Sequence, residues 1–131
     1  MTAQQEPRVA LVTGAASGIG RAAALRLATA GWRVAVLDVN CDELKGLCDV
    51  SSGMLPYDCD VTDHVAVAEV VRRVCQGLGV PRRLVHAAGS AAAGPLLQHG
   101  IVGLKRLMEV DYGGTLTMIE AVAPAGHLEG D

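Results

Sequence analysis

Phenylalanine is absent from the 131 residues, tryptophan occurs once and tyrosine twice. A core with few aromatic anchors has to be built from Ala, Val and Leu, which suits helices packed closely on a parallel sheet. No run approaches the roughly 20 apolar residues of a membrane-spanning helix. The opening residues, M-T-A-Q-Q-E-P-R, form no apolar leader. Concentrated positive charge is missing too: eleven Lys and Arg stand against fourteen Asp and Glu, a net charge of −3. A nucleic-acid surface needs clustered cations to neutralise phosphates, so that class is excluded. Arg72–Arg73 and Arg82–Arg83 read as solvated ends of a helix and a strand. The four cysteines, Cys41, Cys48, Cys59 and Cys75, include no C-x-x-C pair and no histidine at zinc-finger spacing. Neither a metal nor a disulfide framework is expected, and the thiols read as reduced, partly buried residues of a cytoplasmic protein.

What is present is organised around Val9 to Gly20, V-A-L-V-T-G-A-A-S-G-I-G. Val9 to Val12 is a short apolar run of the kind that forms a strand covered on both faces. Gly14 can turn the chain as it leaves that strand, and Gly18 and Gly20 permit close approach. Ile19, Ala23, Leu27 and Ala30 then recur at helical spacing, predicting an apolar stripe on a helix. The unit is strand, glycine turn, helix. A helix N-terminus presents unpaired N–H groups and a partial positive charge, which suits a pyrophosphate. The spacing is G-x-x-x-G-x-G, and no Gly-Lys-Ser/Thr follows, which excludes a P-loop.

The next strand, Arg33 to Val39, carries Asp38 near its C-terminal end. An acid at that distance in a βαβ dinucleotide unit accepts hydrogen bonds from the adenosine ribose. It welcomes a 2′-hydroxyl and repels a 2′-phosphate, so NAD is expected over NADP. Farther on, Asp42 to Leu47 predicts a short helix broken at Ser51-Ser52-Gly53. Met54 to Cys59 predicts a third strand, with Pro56 at odds with an interior position. Thr62 is expected to cap a helix whose inner face is Val67, Val70, Val71, Val74 and Leu78, ended by Gly77, Gly79 and Pro81. Leu84 to Ala87 supplies a fourth strand, leading into small residues, Ala88 and Gly89, where ligands bind in such sheets. From Ile101, the spacing of Leu104, Met108, Tyr112, Thr115, Ile119 and Val122 predicts a last helix. Gly113-Gly114 weakens it and Pro124 and Gly126 stop it. The expected fold is α/β: a Rossmann-like, three-layer α/β/α sandwich. Residues 1–131 form a single partial domain around a truncated parallel sheet of strand order 3-2-1-4.

These motifs resemble those of the short-chain dehydrogenase/reductase family, over essentially the whole chain but only the first half of the usual family domain. The family's T-G-x-x-x-G-I-G string is complete as Thr13, Gly14, Gly18, Ile19 and Gly20. The resemblance implies cofactor binding by Thr13, Gly14, Ser17, Gly18, Ile19, Gly20, Asp38, Asp60, Val61, Ala87, Ala88 and Gly89, with Asp60-Val61 beside the adenine. The N-N-A-G segment appears as His86-Ala87-Ala88-Gly89, with both asparagines replaced. Asp111 occupies the position of the family's catalytic asparagine, where a carboxylate alters the proton relay.

The family's catalytic serine and Y-x-x-x-K are not found in these residues. The tyrosines are Tyr57 and Tyr112, the lysines Lys45 and Lys105, and no pairing gives that spacing. No catalytic residue is therefore assigned, and His86, an ionisable residue near the end of the fourth strand, reads first as a packed histidine. The resemblance implies the NAD-binding portion of an oxidoreductase that moves hydride between NAD(H) and an alcohol or carbonyl, inactive as this chain alone. A non-enzymatic dinucleotide-binding or protein-interaction module is the alternative. Self-association is expected through the 101–122 helix or the exposed sheet edge.

Overall fold

A computed structural model describes residues 8–88 and 113–126. Its elements, in chain order, are β1 (Val9–Thr13), α1 (Gly18–Thr29), β2 (Arg33–Asp38), α2 (Cys41–Val50), β3 (Met54–Asp58), α3 (His64–Gly77), β4 (Pro81–His86) and α4 (Gly114–Gly126). The strands make one sheet in the order β3-β2-β1-β4, parallel throughout, as the alternation of strands and helices required.

Two apolar layers sandwich the sheet. On one face Val9, Leu11, Ala35 and Leu37 meet Val67, Val70, Val71 and Val74 of α3 and Met118 and Val122 of α4. On the other, Val12, Val34 and Val36 meet Ala24 of α1 and Leu44 and Leu47 of α2. Every residue of β1 is buried because it lies centrally in the sheet and under both layers.

Several boundaries depart from the sequence expectation for identifiable reasons. The stripe on α1 is displaced: Ile19 is 81 % exposed, whereas Gly20 and Ala24 are buried. The helix docks by its smallest residues, since a Cβ at Gly20 would lie 2.2 Å from the carbonyl oxygen of Gly14. β2 stops at Asp38 because the Asp38 side chain turns the chain there, and Val39 is exposed. α2 is ten residues long, beyond the expected Asp42 to Leu47, because Asn40 caps it by accepting the N–H of Glu43. β3 ends at Asp58, one residue before Cys59, and Pro56 is accommodated because β3 is the sheet's edge among the described residues. Cys59 N–H donates inward to the Asp38 carbonyl, so the two-residue period puts the Pro56 nitrogen on the outer side, where no ladder bond is lost.

The cap of α3 is Asp63, not Thr62. Asp63 accepts from the N–H groups of Val65 and Ala66, while Thr62 is held back by Asp60. Pro81 begins β4 instead of only closing the preceding turn, so the strand starts before Leu84 and ends at His86, not Ala87. α4 runs through Pro124 and ends at Gly126, so the second of the two expected stops is where the helix ends. The portion of the last predicted helix before Gly113 lies outside the described residues. Among the described residues, no helix is long and apolar enough to cross a membrane.

Candidate functional site

The C-terminal ends of the parallel strands converge on one edge of the sheet, and the segments singled out in the sequence meet there. Gly14 leaves β1 with φ of 64°, a left-handed conformation that favours glycine, and a Cβ on it would sit 2.6 Å from the backbone of Ala87 and Ala88. Gly20 closes on Gly14 from the helix side. Gly14 is thus held between α1 and the chain leaving β4, with no space for a side chain at either contact.

Thr13 ties these strands together. Its Oγ1 lies 2.7 Å from Nδ1 of His86 and accepts the N–H of Ala88 at 3.1 Å, and its carbonyl accepts the N–H of Ala87. Thr13 is fully buried. In the low dielectric of that position a matched polar set fixes the strand ends relative to each other.

Asp38 is joined to the same turn. One carboxylate oxygen accepts the N–H of Ala16 at 3.1 Å and the other accepts the N–H of Asn40 at 3.1 Å. Ala15 N–H also donates to the carbonyl of Leu37. Each carboxylate oxygen has acceptor capacity beyond one hydrogen bond, so these contacts aim the group without saturating it.

The N-termini of α1, α2 and α3 differ in their caps. Asn40 caps α2 and Asp63 caps α3, and Asp42 and Glu43 add negative charge to the first turn of α2. Ser17 occupies the N-cap of α1 but makes no side-chain capping hydrogen bond, and that first turn has no acid. Ser17, Gly18 and Ile19 are exposed, and a Cβ at Gly18 would meet nothing within 4 Å. An unfilled amide end with open space above it fits an anion.

Asp60 and Val61 follow β3 on the same edge. Asp60 Oδ1 accepts both the N–H and the hydroxyl of Thr62, while the Val61 side chain is buried in the core. Thus the structure brings together Thr13, Gly14, Ser17, Gly18, Ile19, Gly20, Asp38, Ala87 and Ala88, with Asp60 and Val61 at the neighbouring strand end. Gly89, Asp111 and Tyr112 lie outside the described residues. Tyr57 is turned into the core beneath α3, where burial raises its pKa against the opposing influence of Arg73.

Sequence reasoning missed the Ala16 amide, the Thr13–His86 contact and Asn40. The last had a signal, because an asparagine followed three residues later by glutamate, Asn40 and Glu43, is a helix-start pattern. The Thr13–His86 contact depends on the register of β1 against β4 and had no local signal. Shallow hollows on the outer faces of α3, lined by His64, Val65, Ala68, Glu69 and Arg72, and of α1, lined by Leu25, Arg26, Thr29 and Ala30, lie elsewhere.

Comparisons with known proteins agree with the fold. The chain is 34 % identical over 119 residues to D-threitol dehydrogenase of Mycolicibacterium smegmatis, covering 88 % of this chain and 46 % of that protein. It is 30 % identical over 118 residues to 2-dehydro-3-deoxy-L-rhamnonate dehydrogenase (NAD(+)) of a Sphingomonas species, covering 89 % and 47 %. A solved actinorhodin polyketide ketoreductase with NADPH superposes with a TM-score of 0.86 at 30 % identity, over 97 % of this chain and 50 % of that one. The chain spans about half the length of the curated relatives it matches. The short chain dehydrogenase family model matches residues 8–130. The chain belongs to the short chain dehydrogenase family.

Proposed function

We propose that residues 1–131 are the NAD-binding portion of an oxidoreductase that moves hydride between NAD(H) and an alcohol or carbonyl substrate. The observation that carries this reading is the 3.1 Å bond from Ala16 N–H to Asp38, which makes the glycine turn and the ribose acid one continuous surface. The pyrophosphate rests on the uncapped amides of Ser17 to Gly20. Asp38 accepts the ribose hydroxyls, and its charge favours NAD over NADP. Ala87 and Ala88 let the second ribose approach the backbone, and Asp60 with the main chain of Val61 flanks the adenine. Ile19 offers an exposed apolar surface beside the turn.

When bound, the nicotinamide supplies the redox chemistry. The residues of this chain bind and orient it, through a turn pre-set by the Gly14–Gly20 packing and by the Thr13 contacts. A proton donor within about 3 Å of the reacting oxygen is also required. Tyr57 does not serve, since its ring packs in the core with Arg73 over it, 5.6 Å from the centroid. We assign this chain binding and no turnover of its own. Titration of the chain into NADH, read by nicotinamide fluorescence, is expected to saturate, with no oxidation of simple alcohols in the presence of NAD. Measurable turnover by residues 1–131 would contradict the assignment.

Self-association is the second element of the reading. Leu116 and Ile119, three residues apart on α4, are 52 % and 50 % exposed, and among the described residues β4 pairs only with β1. An apolar helix face and an open strand edge both favour a second chain, so sedimentation is expected to show concentration-dependent association.

A further inference from the structure

The choice between the two nicotinamide dinucleotides has more support in the structure than Asp38 alone provides. Asp38 and Asp58 are Cα partners across the β2–β3 ladder, so their side chains leave the sheet on the same face. That face carries α2, whose first residue, Cys41, lies beside Asp58: a hydrogen bond to Asp58 is the first cause raising the Cys41 thiol, followed by desolvation. Asp58 itself is exposed.

The same corner is closed to anions in a second way. Asn40 already occupies the amide end of α2 by accepting from Glu43 N–H, and Asp42 and Glu43 fill its first turn with negative charge. Lys45, on α2, opposes the rise at Cys41, but less than Asp58 raises it. The amide end of α1, by contrast, has neither cap nor acid. One helix start therefore accepts phosphate and the adjacent one rejects it.

Building on the proposed dinucleotide site, we infer that Asp58 is a specificity-determining residue: with Asp38 and the capped start of α2, it repels the 2′-phosphate of NADP. Asp58 need not touch NAD, because a like charge acts over several ångströms where the intervening medium is partly protein. Removing Asp38 alone then leaves NADP weakly bound, since the second carboxylate persists one strand away.

The test is calorimetric titration of the chain and of Asp58→Asn, Asp38→Asn and the double variant, each with NAD and with NADP. Circular dichroism establishes that each sample is folded. Asp58→Asn is expected to strengthen NADP binding about tenfold and to leave NAD within about twofold. The double variant is expected to bind NADP more tightly than Asp38→Asn by a similar factor. In the unaltered chain, raising salt from about 0.05 to about 0.5 M is expected to narrow the gap between NAD and NADP, because screening weakens exposed repulsion. Unchanged NADP affinity in Asp58→Asn with NAD still bound, or a gap that ignores salt, would overturn this inference and leave the dinucleotide site standing. Failure of the folded, unaltered chain to bind NAD at all would overturn both.

Discussion

Thr13 Oγ1 and His86 Nδ1 lie 2.7 Å apart and bridge β1 to β4 where both strands end. The hydroxyl also accepts the Ala88 N–H, so one buried side chain fixes the start of the segment proposed to meet the second ribose. Thr13→Val preserves shape and removes both contacts. The expected loss is about 1–3 kcal/mol, the cost of depriving a buried polar group of its partner, and Thr13→Ser is expected to lose less than half of it. Denaturant unfolding of the two variants checks this.

The three motif glycines are not equivalent. A Cβ at Gly20 would lie 2.2 Å from the Gly14 carbonyl oxygen, against backbone that cannot swing aside. Gly20→Ala is expected to cost more than about 3 kcal/mol and to weaken dinucleotide binding with it. Gly18 has a φ of 58° with open space around it, so Gly18→Ala pays only for the left-handed backbone, about 1–2 kcal/mol. Thermal melts of both variants should preserve that order, and equal losses would remove the packing explanation.

Asp63, with two N–H groups on one carboxylate oxygen, starts α3. Asp63→Ala is expected to destabilise by about 1 kcal/mol, measured as a lower urea midpoint, without altering NAD affinity.

Alkaline stability follows from the thiols. Burial pushes Cys59 up from 9.0 to about 11, with Asp60, Asp58 and Asp63 adding in the same direction. Burial raises Cys48 and Cys75 as well. A folded-state pKa raised above the unfolded one means that the folded chain holds its proton more tightly. The corresponding stability is fully present below about pH 9 and is lost as pH rises toward 11. Melting temperature is expected to fall across that window, and Cys59→Ala is expected to flatten the fall. Alkylation of Cys59 at pH 8.5 is expected to be slow in the folded chain.

The fold was legible where a local, periodic signal coincided with the buried face. Val67, Val70, Val71 and Val74 recur at helical spacing and are the residues that α3 buries. The strand order also followed, since handed crossovers leave few arrangements for four parallel strands. Apolar spacing misled at α1, where docking is governed by the absence of a side chain at Gly20 and Ile19 turns outward. Thr62 was the expected cap of α3, yet its neighbour Asp63 takes that place because Asp60 draws Thr62 away, a contact that spacing does not reveal. At the site, the sequence identified Asp38 and the glycines separately. Their union through Ala16 N–H is a main-chain contact between segments 22 residues apart and has no residue-type signature.

The central claim is that the turn after β1 and the acid ending β2 act as one dinucleotide-binding surface. Calorimetric titration of the folded chain and of Asp38→Ala with NAD and NADP addresses it most directly. The expected result is saturable binding by the unaltered chain, tighter for NAD, with the preference reduced at least tenfold in Asp38→Ala. No binding of either nucleotide, or an unchanged preference in a folded Asp38→Ala chain, would contradict it.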